Sequence, residues 1–219
     1  MNPPLRITAA LPFHAEIKNI IFDFGGVLCN IDPRLTEKAF GQLGIRAYDT
    51  ARAISATNGV FEQLETGAIS ADEFRARLRP FFPGPVSDET FDHAWNALLL
   101  DLPEPRLRLL ENIRNQYRIF LLSNSNEIHY RKYAADFTAR YNYPDFDTLF
   151  EKAWFSFRIG LKKPDPAVFQ YFLRDKNLIP EQTLFIDDTC VHTDVARQTR
   201  IHAYHLKIND GESVLSLFE

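Results

Sequence analysis

The 219-residue chain is poor in cysteine: Cys29 and Cys190 are its only two. Two thiols cannot build a disulfide framework, and so few fit a reducing compartment. A basic run is also missing, and 25 Lys and Arg against 29 Asp and Glu leave a net charge of −4. That balance argues against nucleic acid as the main partner. No apolar stretch is long enough for a bilayer. The opening MNPPLRITAALPFHAE sets proline breaks around a short apolar piece, which fits neither a signal peptide nor a membrane span. The expectation is a loose arm over residues 1–16 on a cytoplasmic protein with no membrane partner. Repeats and low-complexity tracts are absent too. What is present is ordinary for a globular chain, 45% hydrophobic and 25% charged residues. The 19 Phe point to an aromatic core, and the length allows one core, or a core with one sizeable insertion.

The stretch from Ile20 to Leu28 reads IIFDFGGVL. An apolar run without alternation is the pattern of a strand buried on both faces. Asp23 then falls at the strand's carboxyl end, where open α/β sheets hold their ligands. Gly25 and Gly26 let the backbone turn sharply and approach whatever Asp23 faces. An acid delivered in this way is a nucleophile, a metal ligand or, more plainly, a cap on the next turn.

After Ile17–Asp23 as first strand, Asp32-Pro33 is a helix start, N-cap then N1, leading into Leu35–Leu43. From there to Pro105 only helical patterns occur. Ser70 and Glu73 form a capping box before SADEFRARL, and Ser87 reopens a helix into ETFDHAWNALLL. Residues 32–105 therefore read as a helical insertion, flanked by a discontinuous unit of residues 17–31 and 106–219. Beyond Pro105, helix and strand alternate. Helices are expected over Arg106–Asn115, Glu127–Arg140, Pro166–Arg174 and Val191–Thr199. Strands are expected over Arg118–Ser123, Ala153–Phe157, Thr183–Ile186 and His202–Leu206. Alternation of this kind implies parallel strands and an α/β fold.

Parallel strands present their carboxyl ends on one edge, and three of these ends carry polar groups: Asp23, Ser123-Asn124 and Asp187-Asp188. Lys163, in GLKKPDP, follows the third strand, and Pro164 keeps it extended. Taken singly, each has a plainer explanation. Ser123-Asn124 is a strand-end turn, Lys163 a solvated lysine, and the second acid of Asp187-Asp188 a helix cap. Together they suit phosphoryl transfer. A carboxylate attacks phosphorus, Mg²⁺ binds few carboxylates and takes phosphate oxygens, and lysine, hydroxyl and N–H groups hold the equatorial oxygens.

FDFGGVL, LLSNSN, KKPDP and FIDDT, in this order, resemble the four motifs of the haloacid dehalogenase-like (HAD) superfamily, and the likeness spans about residues 17–207. It implies a Rossmann-like three-layer core with a parallel sheet and an inserted α-helical cap. It further implies Asp23 as nucleophile and metal ligand, and Ser123 and Asn124 on the phosphate with Lys163 balancing its charge. Asp188 would be the direct ligand of Mg²⁺, with Asp187 beside it and the Gly25 carbonyl as a further ligand. Lys163 is preferred to Lys162 because it precedes the proline. The expected partner is a small phosphorylated substrate.

Gly25 stands where the family's phosphatases carry a second Asp as general acid and base. A branch resembling bacterial α-glucose-1-phosphate phosphatases shares that glycine, and its cap is similar to FEQLETGAISADEF and FDHAWNALL. Asn30, His192, Val195 and Arg200 depart from the family pattern as well. By position, Asp32 and His192 are candidates to replace the missing acid; their plainer roles are N-cap and polar helix start. Cys29 and Cys190 read as small buried apolar residues. The reading is a Mg²⁺-dependent phosphatase of a small monoester, such as a sugar phosphate, acting through an aspartyl-phosphate. A metal-free haloacid dehalogenase is the first rival, disfavoured because two adjacent acids suit a cation and repel a carboxylate substrate. A regulatory protein that lost turnover with Gly25 is the second.

Overall fold

The computed structural model describes residues 6–8, 16–45, 59–143 and 145–219. Parts of the expected arm and helical insertion, residues 1–5, 9–15 and 46–58, lie outside them. Five strands form one parallel sheet: β1 (Asn19–Phe22), β2 (Arg118–Ser123), β3 (Lys152–Phe155), β4 (Thr183–Asp187) and β5 (His202–His205). Their order is β3-β2-β1-β4-β5. The register sets Phe22 of β1 beside Leu121 of β2 and Ile186 of β4. The chain steps outward from β1 to β2 and β3, then returns to β1's other side for β4 and β5. The order thus reverses between β1 and β4, the place where such sheets open a ligand crevice.

Helices cover both faces. In chain order they are α1 (Pro33–Gln42), α2 (Val60–Glu65), α3 (Ala71–Leu78), α4 (Asp88–Trp95), α5 (Glu104–Ile113), α6 (Glu127–Tyr141), α7 (Ser156–Ile159), α8 (Pro166–Asp175) and α9 (Cys190–Gln198). Side chains alternate along each strand. Ile20, Phe22, Ile119, Leu121, Leu184 and Ile186 pack with α5, α6 and the C-terminal Val214 and Leu217. Ile21, Phe120, Leu122 and Phe185 face the other way, onto Val168, Phe169 and Phe172 of α8 and Ala196 of α9. Helices on both faces of a parallel sheet make three layers, as the motif order implies.

Helices α1–α4 have a core of their own, built from Phe40, Val60, Leu64, Phe74, Leu78, Phe82 and Phe91, which Ile128 of α6 joins. Their starts follow the local signals. Asp32 caps α1 by accepting from the Arg34 N–H at 3.1 Å. The Ser70 and Ser87 hydroxyls accept from Glu73 and Thr90 N–H, each at 3.1 Å. The chain enters and leaves this region on paired strands, with an Ile31–Leu99 bridge and the Asn30 N–H on the Asp101 carbonyl at 2.7 Å.

Several expectations shift: the first strand is Asn19–Phe22 and not Ile17–Asp23, and the helix expected over Arg106–Asn115 is Glu104–Ile113. β3 stops at Phe155 instead of Phe157, because Ser156 starts the single turn of α7. The described part of the N-terminal arm is not loose: Ile7 pairs antiparallel with Phe218, and Arg6 exchanges backbone hydrogen bonds with Glu219.

Candidate active site

Asp23 follows β1, and its N–H still bonds the Ile186 carbonyl of β4 at 2.9 Å. Asp187 is the last residue of β4. The two carboxylates therefore emerge side by side at the reversal in strand order. Lys163 Nζ lies between them, 2.7 Å from Asp23 Oδ1 and 2.7 Å from Asp187 Oδ2. Lys163 is 1% exposed and Asp187 0%. Oxygens of Asp23, Asp187 and Asp188 all lie within 4.8 Å of one another.

Both glycines of the turn can be accounted for. Gly26 has φ +79°, and a Cβ there would sit 2.1 Å from Asp188 Oδ2, so the Asp188 carboxylate packs directly on the bare backbone. Gly25 is not in the left-handed region, and its carbonyl meets no protein donor among the described residues. The second strand end is organised differently from a simple phosphate contact. Asn124 uses its whole carboxamide on the main chain of Lys163, donating to the carbonyl at 2.8 Å and accepting from the N–H at 2.9 Å. It thereby fixes the segment that carries the ammonium. Ser123 is buried, and its hydroxyl has no protein partner among the described residues.

Burial is the largest influence on Asp23 and pushes its carboxyl up to about 7; Lys163 opposes this, while Asp187 and Asp188 add to it. Burial also favours a neutral Asp187, but Lys163 and His192 outweigh it and hold that carboxyl down at about 2. Lys163 stays charged because its two carboxylates overcome its burial. Asp188 is raised by burial and by Asp187. Three carboxylates against one ammonium leave surplus negative charge, and an all-oxygen donor set of this kind fits a hard divalent cation.

Asp32 and His192 separate here. Both oxygens of Asp32 are engaged by the Arg34 guanidinium at 2.8 Å, so this acid serves as a cap with an ion pair. His192 reaches the site: its Nδ1 lies 3.0 and 3.1 Å from the oxygens of Asp187. The cysteines separate as well. Cys29 is buried in the core beside the glycine turn, and burial pushes its thiol up to about 12. Cys190 is exposed at the start of α9, contrary to the expectation of a buried residue, because Thr193 and Ala196 take the inward positions of that helix.

Sequence reasoning missed three contacts. Lys162 pairs with Glu65 at the end of α2, so the two lysines of KKP part, one to the carboxylates and one to the inserted helices. Gly67, just beyond α2, has φ +68°, and a Cβ there would meet the Phe157 carbonyl at 2.1 Å. That contact seats the inserted helices on α7. The third is His129, whose Nδ1 lies 2.7 Å from Asn96 Oδ1; burial pulls its pKa down to about 4. No local pattern marks these pairs. What is local is the doubled lysine before a proline and the glycine at 67; their partners are distant.

A Rossmann-like parallel sheet whose first strand ends in an acid bridged by lysine to a second acid defines a hydrolase class. Residues 17–198 match the haloacid dehalogenase-like hydrolase family, and the chain belongs to it. Among its relatives, D-ribitol-5-phosphate phosphatase of Bacteroides thetaiotaomicron is 31% identical over 182 residues, 83% of this chain and 88% of that protein. A HAD family enzyme from the same organism, crystallised with magnesium and inorganic phosphate, is similar with a TM-score of 0.77 at 33% identity. That match covers 87% of this chain and 94% of that one. A HAD-like family hydrolase from Porphyromonas gingivalis has a TM-score of 0.78 at 29% identity, covering 87% and 91%. No helix among the described residues is long and apolar enough to cross a membrane.

Proposed function

We propose that this protein is a Mg²⁺-dependent phosphatase of small phosphate monoesters, with a sugar or polyol phosphate as substrate. The observation that carries the proposal is Lys163 Nζ at 2.7 Å from both Asp23 and Asp187, with Asp188 in the same cluster. The relatives' names point the same way. In this reading Asp23 is the nucleophile. One of its oxygens attacks phosphorus, the bond to the alcohol oxygen breaks, and the alkoxide takes a proton. Water then attacks the phosphorus of the aspartyl-phosphate, releasing phosphate and restoring Asp23. The Ser123 hydroxyl and main-chain N–H groups after β2 hold phosphate oxygens, Lys163 offsets their charge, and Asn124 holds Lys163 in place. Asp23, Asp188, Asp187 and the Gly25 carbonyl would hold Mg²⁺. The cation supplies charge that offsets repulsion between an anionic nucleophile and an anionic substrate. Residues 32–105 act as a cap over the core formed by residues 17–31 and 106–219, excluding water and contacting the leaving group. Two free thiols suit a cytoplasmic setting.

Gly25 offers no carboxyl to protonate the leaving group or deprotonate the water, and a residue in that role contributes about 10²–10⁴-fold. Modest turnover follows, with a burst of alcohol from activated aryl phosphates. The test is a panel of aryl and sugar phosphates with and without Mg²⁺, for the wild type and Asp23→Asn, with 2-chloropropionate as the dehalogenase control. Mg²⁺-dependent phosphate release that Asp23→Asn abolishes, and a phosphorylated protein in the quenched mass spectrum, are the expected results. Chloride release, or an Asp23→Asn variant retaining more than a few per cent of the rate, would refute the reading.

A further inference from the structure

His129 is a buried titratable group that the chemistry at Asp23 leaves unused. It lies in the first turn of α6, three residues past the N-cap Asn126, on the chain that leaves β2 at Ser123. Its ring stacks on Trp95 of α4 with centroids 5.1 Å apart and planes 10° apart. Trp95 stacks in turn on Phe61 of α2, at 5.6 Å and 29°. The ring thus sits where the loop after β2 meets the inserted helices. One contact orients the ring: Asn96 Oδ1 takes His129 Nδ1 at 2.7 Å. Asn126 Oδ1 accepts from the main-chain N–H of His129 at 3.0 Å and from Trp95 Nε1 at 3.4 Å, which ties the helix start to the indole that the ring stacks on. A carboxamide oxygen only accepts, so Nδ1 carries the proton and Nε2 is a bare lone pair. Nε2 has no protein partner among the described residues and is not sealed from solvent. An imidazole locked in one tautomer, with its second nitrogen open, is a preorganised acceptor.

We propose that His129 is a specificity residue for the leaving group: its Nε2 accepts a hydrogen bond from a hydroxyl on the carbon chain of the substrate. This rests on the phosphatase reading above. The argument is one of position and of charge. Ser123 and the main-chain groups beside it would face the phosphoryl end, while His129 lies further along the same chain, against Trp95 at the junction with the inserted helices, where a leaving group that extended from the phosphoryl end toward those helices would meet it. A lone pair repels phosphate and carboxylate oxygens and attracts only O–H or N–H donors. The residue therefore selects polyol or sugar phosphates over phosphorylated acids.

The test compares wild type, His129→Phe and His129→Gln on D-ribitol 5-phosphate, its monodeoxy analogues and 4-nitrophenyl phosphate. Phenylalanine keeps the stack on Trp95 but has no acceptor; the glutamine carboxamide oxygen can replace Nε2. In His129→Phe, kcat/KM on the polyol phosphate should fall roughly tenfold further than on the aryl phosphate, as for one lost hydrogen bond. His129→Gln should recover most of that difference. One deoxy analogue should show no such additional loss. Equal losses on every substrate, or no rescue by glutamine, overturn the proposal. If wild type hydrolyses no phosphate ester, the phosphatase reading fails by itself. His129 is then tested by the ¹⁵N resonance of Nε2 in wild-type protein titrated with D-ribitol 5-phosphate. That resonance should start in the unprotonated range and shift on addition. No shift at millimolar ligand, or a protonated Nε2 at neutral pH, overturns the proposal in that case as well, and this measurement also covers a variant that fails to fold.

Discussion

The edge of the sheet and the inserted helices are held by different physics. At the sheet edge, a lysine and two aspartates are buried together, and none can leave without exposing the others' charge to a low-dielectric interior. In the inserted region the core contacts are mainly aromatic, with the buried Arg75 guanidinium held by Asp92 at 2.8 and 2.7 Å. Phe40, Phe74, Phe82, Phe91 and Trp95 pack edge-on and stacked, with centroid pairs such as Phe74–Phe91 at 5.7 Å and Phe40–Phe82 at 5.8 Å. Aromatic packing tolerates small rearrangements, whereas a buried charge cluster does not. In the function proposed above, the difference would suit a rigid site for the reacting group and an adaptable cover for the rest of the substrate.

The adjacent lysines offer the strongest way to break this comparison. Lys163→Met leaves two buried carboxylates without a cation and should cost about 3–5 kcal/mol of stability. Lys162→Met removes a half-exposed pair with Glu65 and should cost under about 1 kcal/mol. Urea denaturation of both variants measures it; equal losses would mean that Lys163 is not the buried counter-ion.

The junction between the regions titrates through His129. Its folded-state pKa is held down at about 4, against an ordinary value of 6.5. The unfolded chain therefore binds a proton that the folded chain refuses. That contribution to stability is present above pH 6.5 and is lost as pH falls toward 4, by about 3 kcal/mol in all. Melting curves across this window should show wild type losing more stability than His129→Phe. Parallel losses would place the imidazole in solvent.

A substitution at Gly25 sharpens the chemical side. The atoms nearest to a Cβ there all belong to the flexible Ile31 side chain, with Cδ1 at 3.0 Å, so a small shift of Ile31 admits a side chain. Gly25→Asp should raise turnover of sugar phosphates about 10–100-fold and remove the aryl phosphate burst, by supplying an acid and base. Unchanged burst amplitude would show that another group already deprotonates the water. The smallest effect is expected at the junction. Glu65→Gln loses the link to Lys162 and should raise KM for sugar phosphates up to about fivefold, with less change for aryl phosphates. A uniform change across substrates would mean that the pair only stabilises the fold.

Much of this was legible from residue order because the signals are local. Strand ends, the glycine turn and the caps at Asp32, Ser70 and Ser87 are decided within one turn of chain. Asp23, Asp187 and Asp188 come together because adjacent parallel strands share an edge, so their meeting follows from topology; Lys163, beyond α7, joins them through the hold of Asn124 on its main chain. The site's finer parts are not local. Asn124 lies 39 residues from Lys163, His129 33 from Asn96, and Lys162 97 from Glu65. Which oxygen or nitrogen each offers depends on packing between elements that no short pattern connects.

By itself, then, the sequence determined the parallel sheet, the helical insertion and the acids at the strand ends, since periodicity and turn chemistry act between near neighbours. The tertiary structure alone decided that Asn124 would anchor a lysine, that Lys162 would turn to Glu65 and that the backbone at Gly67 would meet Phe157. It alone decided, too, that His129 would keep one nitrogen open. Those outcomes depend on where burial removes water, and water is removed only when distant segments close on one another.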